Sequence, residues 1–128
     1  MRFPNHLKYT QDHEWTQSDG STVTVGITDH AQSSLGDIVY VELPAVGRTL
    51  KKGETFGVVE SIKAVSDLYA PFSGVVTAVN SELQADPAQI NRDPHAGAWM
   101  IKMTALPSES PGELMTSEAY SKYVEELK

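Results

Sequence analysis

Cysteine is absent from the chain. Disulfides, thiolate metal sites, iron–sulfur clusters and cysteine nucleophiles are thereby excluded, so any sulfur chemistry has to come from an attached group. Basic residues are scarce: ten Lys and Arg stand against 17 Asp and Glu, a formal net charge of -7. The longest basic run is Lys51-Lys52. A chain so balanced repels a phosphate backbone, and nucleic acid is not an expected partner. No apolar stretch approaches the roughly 20 residues of a membrane helix. The first residues, Met1-Arg2-Phe3-Pro4-Asn5-His6, have neither the apolar centre of a signal peptide nor the Arg-rich pattern of a transit peptide. The expectation is a cytoplasmic protein with no membrane partner. Its 128 residues are read as one domain.

Signs of a self-contained active site are also missing. His13-Glu14 begins like a zinc-protease helix, but position 17 is glutamine, so the second histidine is lacking. His6, His13, His30 and His95 are scattered and read as surface or hydrogen-bonding residues, with no metal site expected. There is no G-x-S-x-G elbow, no phosphate-cradling G-x-x-x-x-G-K loop and no G-x-G-x-x-G fingerprint. No catalytic residue is nominated.

What the chain does contain is short β-prone runs cut by glycine and proline. Thr22 to Ile27 alternates with period two, apolar at 23, 25 and 27, behind the turn cluster Ser18-Asp19-Gly20-Ser21. Further runs span Ile38 to Leu43, Thr55 to Glu60, Val65 to Tyr69, Val75 to Val79 and Trp99 to Met103. This pace predicts a mainly β sandwich or barrel with a core over about residues 20–105. Leu7 to Gln17 has strand-like residues without a clear period and is read as a strand extension. Thr28 or Asp29 can cap a short helix that Gly36 ends. Asn80 to Ala98 reads as a long loop with one helical turn. A helical tail over about 107–128 follows, with a capping box at Ser110–Glu113. Its apolar stripe of Tyr120, Tyr123, Val124 and Leu127 is expected to dock on the β core. Trp15, Trp99, Val39 and Val41 are read as core.

Between Gly53 and Asn91 the only basic residue is Lys63. It stands between two β-prone runs, which places it at or near the tip of a hairpin. There its stem projects into water, open to any enzyme that docks on the hairpin. A lone turn lysine can equally be plain solvated surface.

The surrounding residues favour the first reading. Glu60-Ser61-Ile62-Lys63-Ala64, continued by Ser66-Asp67-Leu68-Tyr69-Ala70-Pro71, resembles the modification site of lipoyl domains. Biotin carriers share the hammerhead fold of flattened, interleaved hairpins, but flank their lysine with methionines. Other segments are similar to the H proteins of the glycine cleavage system: Tyr9-Thr10 with His13-Glu14-Trp15, Val25 to Asp29 with Ala31-Gln32, and Leu35 to Pro44. Asn91, Pro94, Gly97 and Trp99 fit the late segment of that family, and the likeness covers roughly residues 7 to 127. Two positions depart from it, His95 in place of a common tyrosine and Ala98 in place of a common glycine.

The resemblance implies a lipoyl-domain-like hammerhead with short helices and a C-terminal helix. It implies lipoate joined through an amide to Lys63. The carrier would take an aminomethyl group from the pyridoxal-phosphate-dependent P protein to the T protein, and reducing equivalents to the flavin-dependent L protein. Lipoate-attaching enzymes are implied as further partners. Among the neighbours of Lys63, the motif includes Ser61, Ile62 and Ala64, while Glu60 and Asp67 are expected to guide the attaching enzyme. Glu14 either holds the protonated aminomethyl group or is a plain surface acid beside a buried Trp15. An alternative use of the same lysine is a relay of octanoyl or lipoyl groups to other proteins.

Overall fold

The computed structural model describes residues 2–105 and 114–127. In chain order its strands are β1 (Lys8–Tyr9), β2 (Glu14–Asp19), β3 (Thr22–Ile27), β4 (Ile38–Glu42), β5 (Thr49–Leu50), β6 (Thr55–Ser61), β7 (Val65–Tyr69), β8 (Gly74–Val79) and β9 (Ile101–Ala105). Helices α1 (Asp29–Leu35), α2 (Glu82–Ala85), α3 (Gln89–Arg92) and α4 (Ser117–Glu126) complete the described elements. Among these no helix is long and apolar enough to cross a membrane.

The strands form two antiparallel sheets. One has the order β1-β2-β3-β9-β8-β5, the other β4-β6-β7. The β3 alternation is the clearest case of sequence dictating structure: Val23, Val25 and Ile27 are buried between the sheets with Val41, Phe56, Val59, Val76 and Met103. Its Gly26 is set by a neighbour. The strand pairs Trp15 opposite Gly26, and a Cβ there would lie 2.6 Å from the Trp15 ring. The indole lies over bare backbone, which only glycine permits.

Several expectations are corrected. Val39 is 55% exposed whereas Val41 is 2% exposed. The β4–β6 register shifts between Ile38 and Tyr40, so an extra residue breaks the alternation and turns both Val39 and Tyr40 outward. Trp99 is only half-buried, and the strand expected from it begins at Ile101. The segment read as one long loop carries two short helices, α2 and α3, each anchored by one buried side chain, Leu83 and Ile90 respectively. The two-residue β5 has too short a pattern to stand out in sequence.

The capping box expected at Ser110–Glu113 lies outside the described residues. Within them α4 starts from Thr116, whose hydroxyl accepts from the Ala119 N–H at 3.2 Å. The helix buries Tyr120 and Val124 as its stripe required, but leaves Leu127 52% exposed. It docks on the N-terminal segment rather than the main core. Tyr120 and Val124 join Leu7, Tyr9 and Trp15 in a second apolar cluster, with the Tyr9 and Tyr120 rings stacked at 4.6 Å. Burying each such side chain contributes about 1.5–3 kcal/mol. Thr116→Ala removes the cap and is expected to lower stability by about 1 kcal/mol. A lower urea midpoint at unchanged slope is the signature.

Candidate functional site

The β6–β7 hairpin narrows to its last pair, Glu60 opposite Val65, and leaves Ser61 to Ala64 to reverse the chain. Ser61 builds this turn. Its N–H donates to the Ala64 carbonyl at 2.8 Å, and its hydroxyl oxygen accepts from the N–H groups of Ala64 (3.0 Å) and Lys63 (3.3 Å). A short hydroxyl side chain that can reach its own turn is what the position demands. Ser61 is accordingly buried, while Ile62, Lys63 and Ala64 are exposed. The result is a hydrogen-bonded turn that carries an exposed lysine.

The turn rests on the α1–β4 junction. The Ile62 N–H donates to the Asp37 carbonyl at 3.2 Å. Gly36, in the left-handed region with φ 82°, ends α1, and a Cβ on it would lie 3.4 Å from Lys63 Cε. The lysine stem therefore passes over the end of α1.

The sheet around the lysine presents acids and apolar side chains together. Tyr40, Glu60 and Val65 lie in one cross-strand row, and Glu42, Val58 and Asp67 in the row two residues on. Ile62 (73%) and Val65 (67%) are exposed, as are Tyr40 and Val39. Glu60 is half-buried and Asp67 exposed. Glu60, Ser61, Ile62 and Ala64 thus adjoin Lys63, with Asp67 further down β7.

Glu14 is elsewhere and is not a surface acid: it is 1% exposed. From the start of β2 it crosses to the other sheet, where its Oε2 accepts the Tyr69 N–H at 2.7 Å and its Oε1 the Thr10 hydroxyl at 3.3 Å. The preceding residue, His13, takes a left-handed φ of 66°, uncommon for a residue with a Cβ. Burial pushes the Glu14 carboxyl up to about 8, against the pull of the Tyr69 N–H bond. Beside Thr10 opens a cavity of about 390 Å³, lined also by Asp12, Lys52, Ala70 and Met115. The four steps from Val65 to Tyr69 span about 13 Å. A group hanging from Lys63 would have to lie back along the hairpin to meet Glu14.

The histidines are less scattered than their spacing suggests. His13 and His30 have ring centroids 4.6 Å apart, and His13 Nδ1 lies 2.9 Å from the Tyr120 hydroxyl. His95 is buried with Nε2 accepting the Asp29 N–H at 3.1 Å, and burial pushes its imidazole down to about 4. Ala98 belongs to the main core. The two departures from the family pattern therefore sit at the start of α1 and in the core, away from the lysine turn. Among the described residues no group of three or more His, Asp or Glu could hold a metal ion.

Comparison with known proteins agrees along nearly the whole chain. Residues 7–127 match the family described as glycine cleavage H-protein. The glycine cleavage system H protein of Koribacter versatilis is 54% identical over 126 residues, covering 98% of this chain and 97% of that one. That of Bacillus cytotoxicus is 52% identical over 121 residues, covering 94% and 95% respectively. The crystal structure of a glycine cleavage system H protein from Mycobacterium marinum superposes with a TM-score of 0.86 at 42% identity, over 94% of this chain and 97% of that chain. With sequence, architecture and hairpin in agreement, the chain belongs to the glycine cleavage H-protein family.

Proposed function

We propose that Lys63 Nζ is the amide attachment point for lipoate, and that this chain carries an aminomethyl group from the P protein to the T protein and reducing equivalents to the L protein. Family membership makes the chain a carrier component of the glycine cleavage system, not itself catalytic. The observation that carries the finer reading is the turn: hydrogen bonds from and to Ser61 hold its backbone while Lys63 stands exposed at the tip. When attached, lipoate supplies a dithiolane, the sulfur chemistry that a chain without cysteine lacks.

The chain's own residues then position and protect. The exposed Ile62 and Val65, with Glu60 and Asp67, offer an attaching enzyme an apolar centre with an acidic rim, where charge steers encounter. Glu14 holds a proton in a water-poor site near neutral pH. An ammonium brought beside it favours the carboxylate, so Glu14 gains its charge when a cationic group needs a partner. This supports its assignment to the aminomethyl group. A cytoplasmic setting, as in a bacterial cell, is part of the same reading.

The test is intact mass and peptide mapping of the protein from its native host, then glycine decarboxylation with P protein. One lipoyl adduct on Lys63 and turnover that depends on it are expected. A bare Lys63, in cells proven to lipoylate other proteins, overturns the assignment. An adduct without turnover transfers it to lipoyl relay.

A further inference from the structure

We infer that Asn91 is the positioning residue for Lys63, a bracket that holds the seat of the lysine turn from the far side of the α1–β4 junction. The inference rests on the reading of Lys63 as the attachment point.

Asn91 lies on α3, next to Ile90, which is fully buried in the main core. Its base is therefore fixed to the interior. From there its amide reaches three groups. Oδ1 accepts the Ile38 N–H at 2.9 Å, and Nδ2 donates to the Gly36 carbonyl at 2.9 Å and to Gln32 Oε1 at 3.0 Å. Both amide hydrogens and one acceptor position are used, which fixes the side chain's orientation.

The residues it grips are those that support the lysine. Gly36 and Ile38 flank Asp37, whose carbonyl accepts the Ile62 N–H one residue before Lys63. Gly36 is also the backbone over which the Lys63 stem passes. Ile38 pairs directly with Ser61, the residue that builds the turn. One side chain thus pins both neighbours of the carbonyl that anchors the tip.

Apolar packing holds only the Ile38 side of this junction, where Ile38 is 3% exposed in the main core. Helix α1 has no fully buried side chain, and Ala31 and Leu35 only partly enter the core. A seven-residue helix held so lightly is free to shift at its end unless polar ties stop it. An acylating enzyme must meet Nζ within a narrow geometry, and a displacement of about 1 Å far from the chemistry can cost up to about 100-fold in rate.

The experiment compares Asn91→Ala with Ile90→Val, a core variant on the same helix, at a temperature where both are folded. A lipoate-attaching enzyme modifies each, and amide exchange is read at Ile62 and Val59. Asn91→Ala is expected to lower kcat/KM for attachment about tenfold or more and to speed exchange at Ile62 but not at Val59. Ile90→Val is expected to keep the wild-type attachment rate despite its lower melting temperature. Attachment to Asn91→Ala at the wild-type rate overturns the inference, as does an equal loss in Ile90→Val. Should Asn91→Ala not fold, Gln32→Ala removes one of the three ties and takes its place, with the same two readouts expected to move in the same directions. If the wild type accepts no lipoyl group, the reading of Lys63 falls, and Ile62 exchange alone decides the seat: faster exchange upholds it and unchanged exchange overturns it.

Discussion

Lys63→Arg is expected to end modification completely while leaving the fold intact. A guanidinium stays charged and does not form the amide that an amine forms. No lipoyl adduct should appear in the intact mass, and glycine decarboxylation in the reconstituted system should drop to background. Stability should change by no more than about 0.5 kcal/mol, because the side chain is exposed and Ser61, not Lys63, supplies the turn's side-chain hydrogen bonds. An adduct on the arginine variant, or activity above background, would place the attachment elsewhere. A loss of fold would mean that the lysine stem over Gly36 is structural.

Glu14→Gln is expected to remove the fall in stability that Glu14 causes between about pH 4.5 and 8. In the folded chain the carboxyl titrates at about 8 against an ordinary 4.5, so the folded state binds this proton more tightly than the unfolded one. The stabilisation from the bound proton is complete below pH 4.5 and is lost as pH rises through 8. Glutamine has the same shape, keeps an oxygen for the Tyr69 N–H and never ionises. The two proteins should be similar in stability near pH 4, and the variant more stable at pH 9 by about 2–5 kcal/mol. Urea unfolding at several pH values measures this directly. Parallel stability profiles would show that Glu14 ionises in the folded protein as easily as in water. The same substitution removes the buried charge that Glu14 can develop, so a shorter lifetime of the aminomethyl-loaded protein is the functional counterpart. An unchanged lifetime would remove Glu14 from that role while leaving the stability argument in place.

The lysine hairpin and the stability cost of Glu14 were not equally visible beforehand. Ser61 to Ala64 can be read as a turn because its ties join neighbours in the chain. Glu14 takes its hydrogen bond from Tyr69, 55 positions away, and no local pattern distinguishes such an acid from a solvated one. The motif His13-Glu14-Trp15 drew attention to the position. Its burial came as the decisive correction.

The same division runs through the whole molecule. Sequence by itself determined what acts over a few residues: the period-two burial of β3, the Thr28 cap and Gly36 stop of α1, and the lone lysine between two strands. It also excluded thiol chemistry through the lack of cysteine, and its motifs carried the family. Tertiary structure alone decided what needs a distant partner. Val39 is exposed because β4 and β6 slip register, and α4 packs on β1 and β2 because Tyr120 finds Tyr9 and Trp15. The lysine tip has its seat because Asn91 meets Ile38 across 53 positions. Periodicity and capping are local and survive in a one-dimensional text. Burial and cross-sheet hydrogen bonds depend on which surfaces meet, and that is known only once the chain has folded.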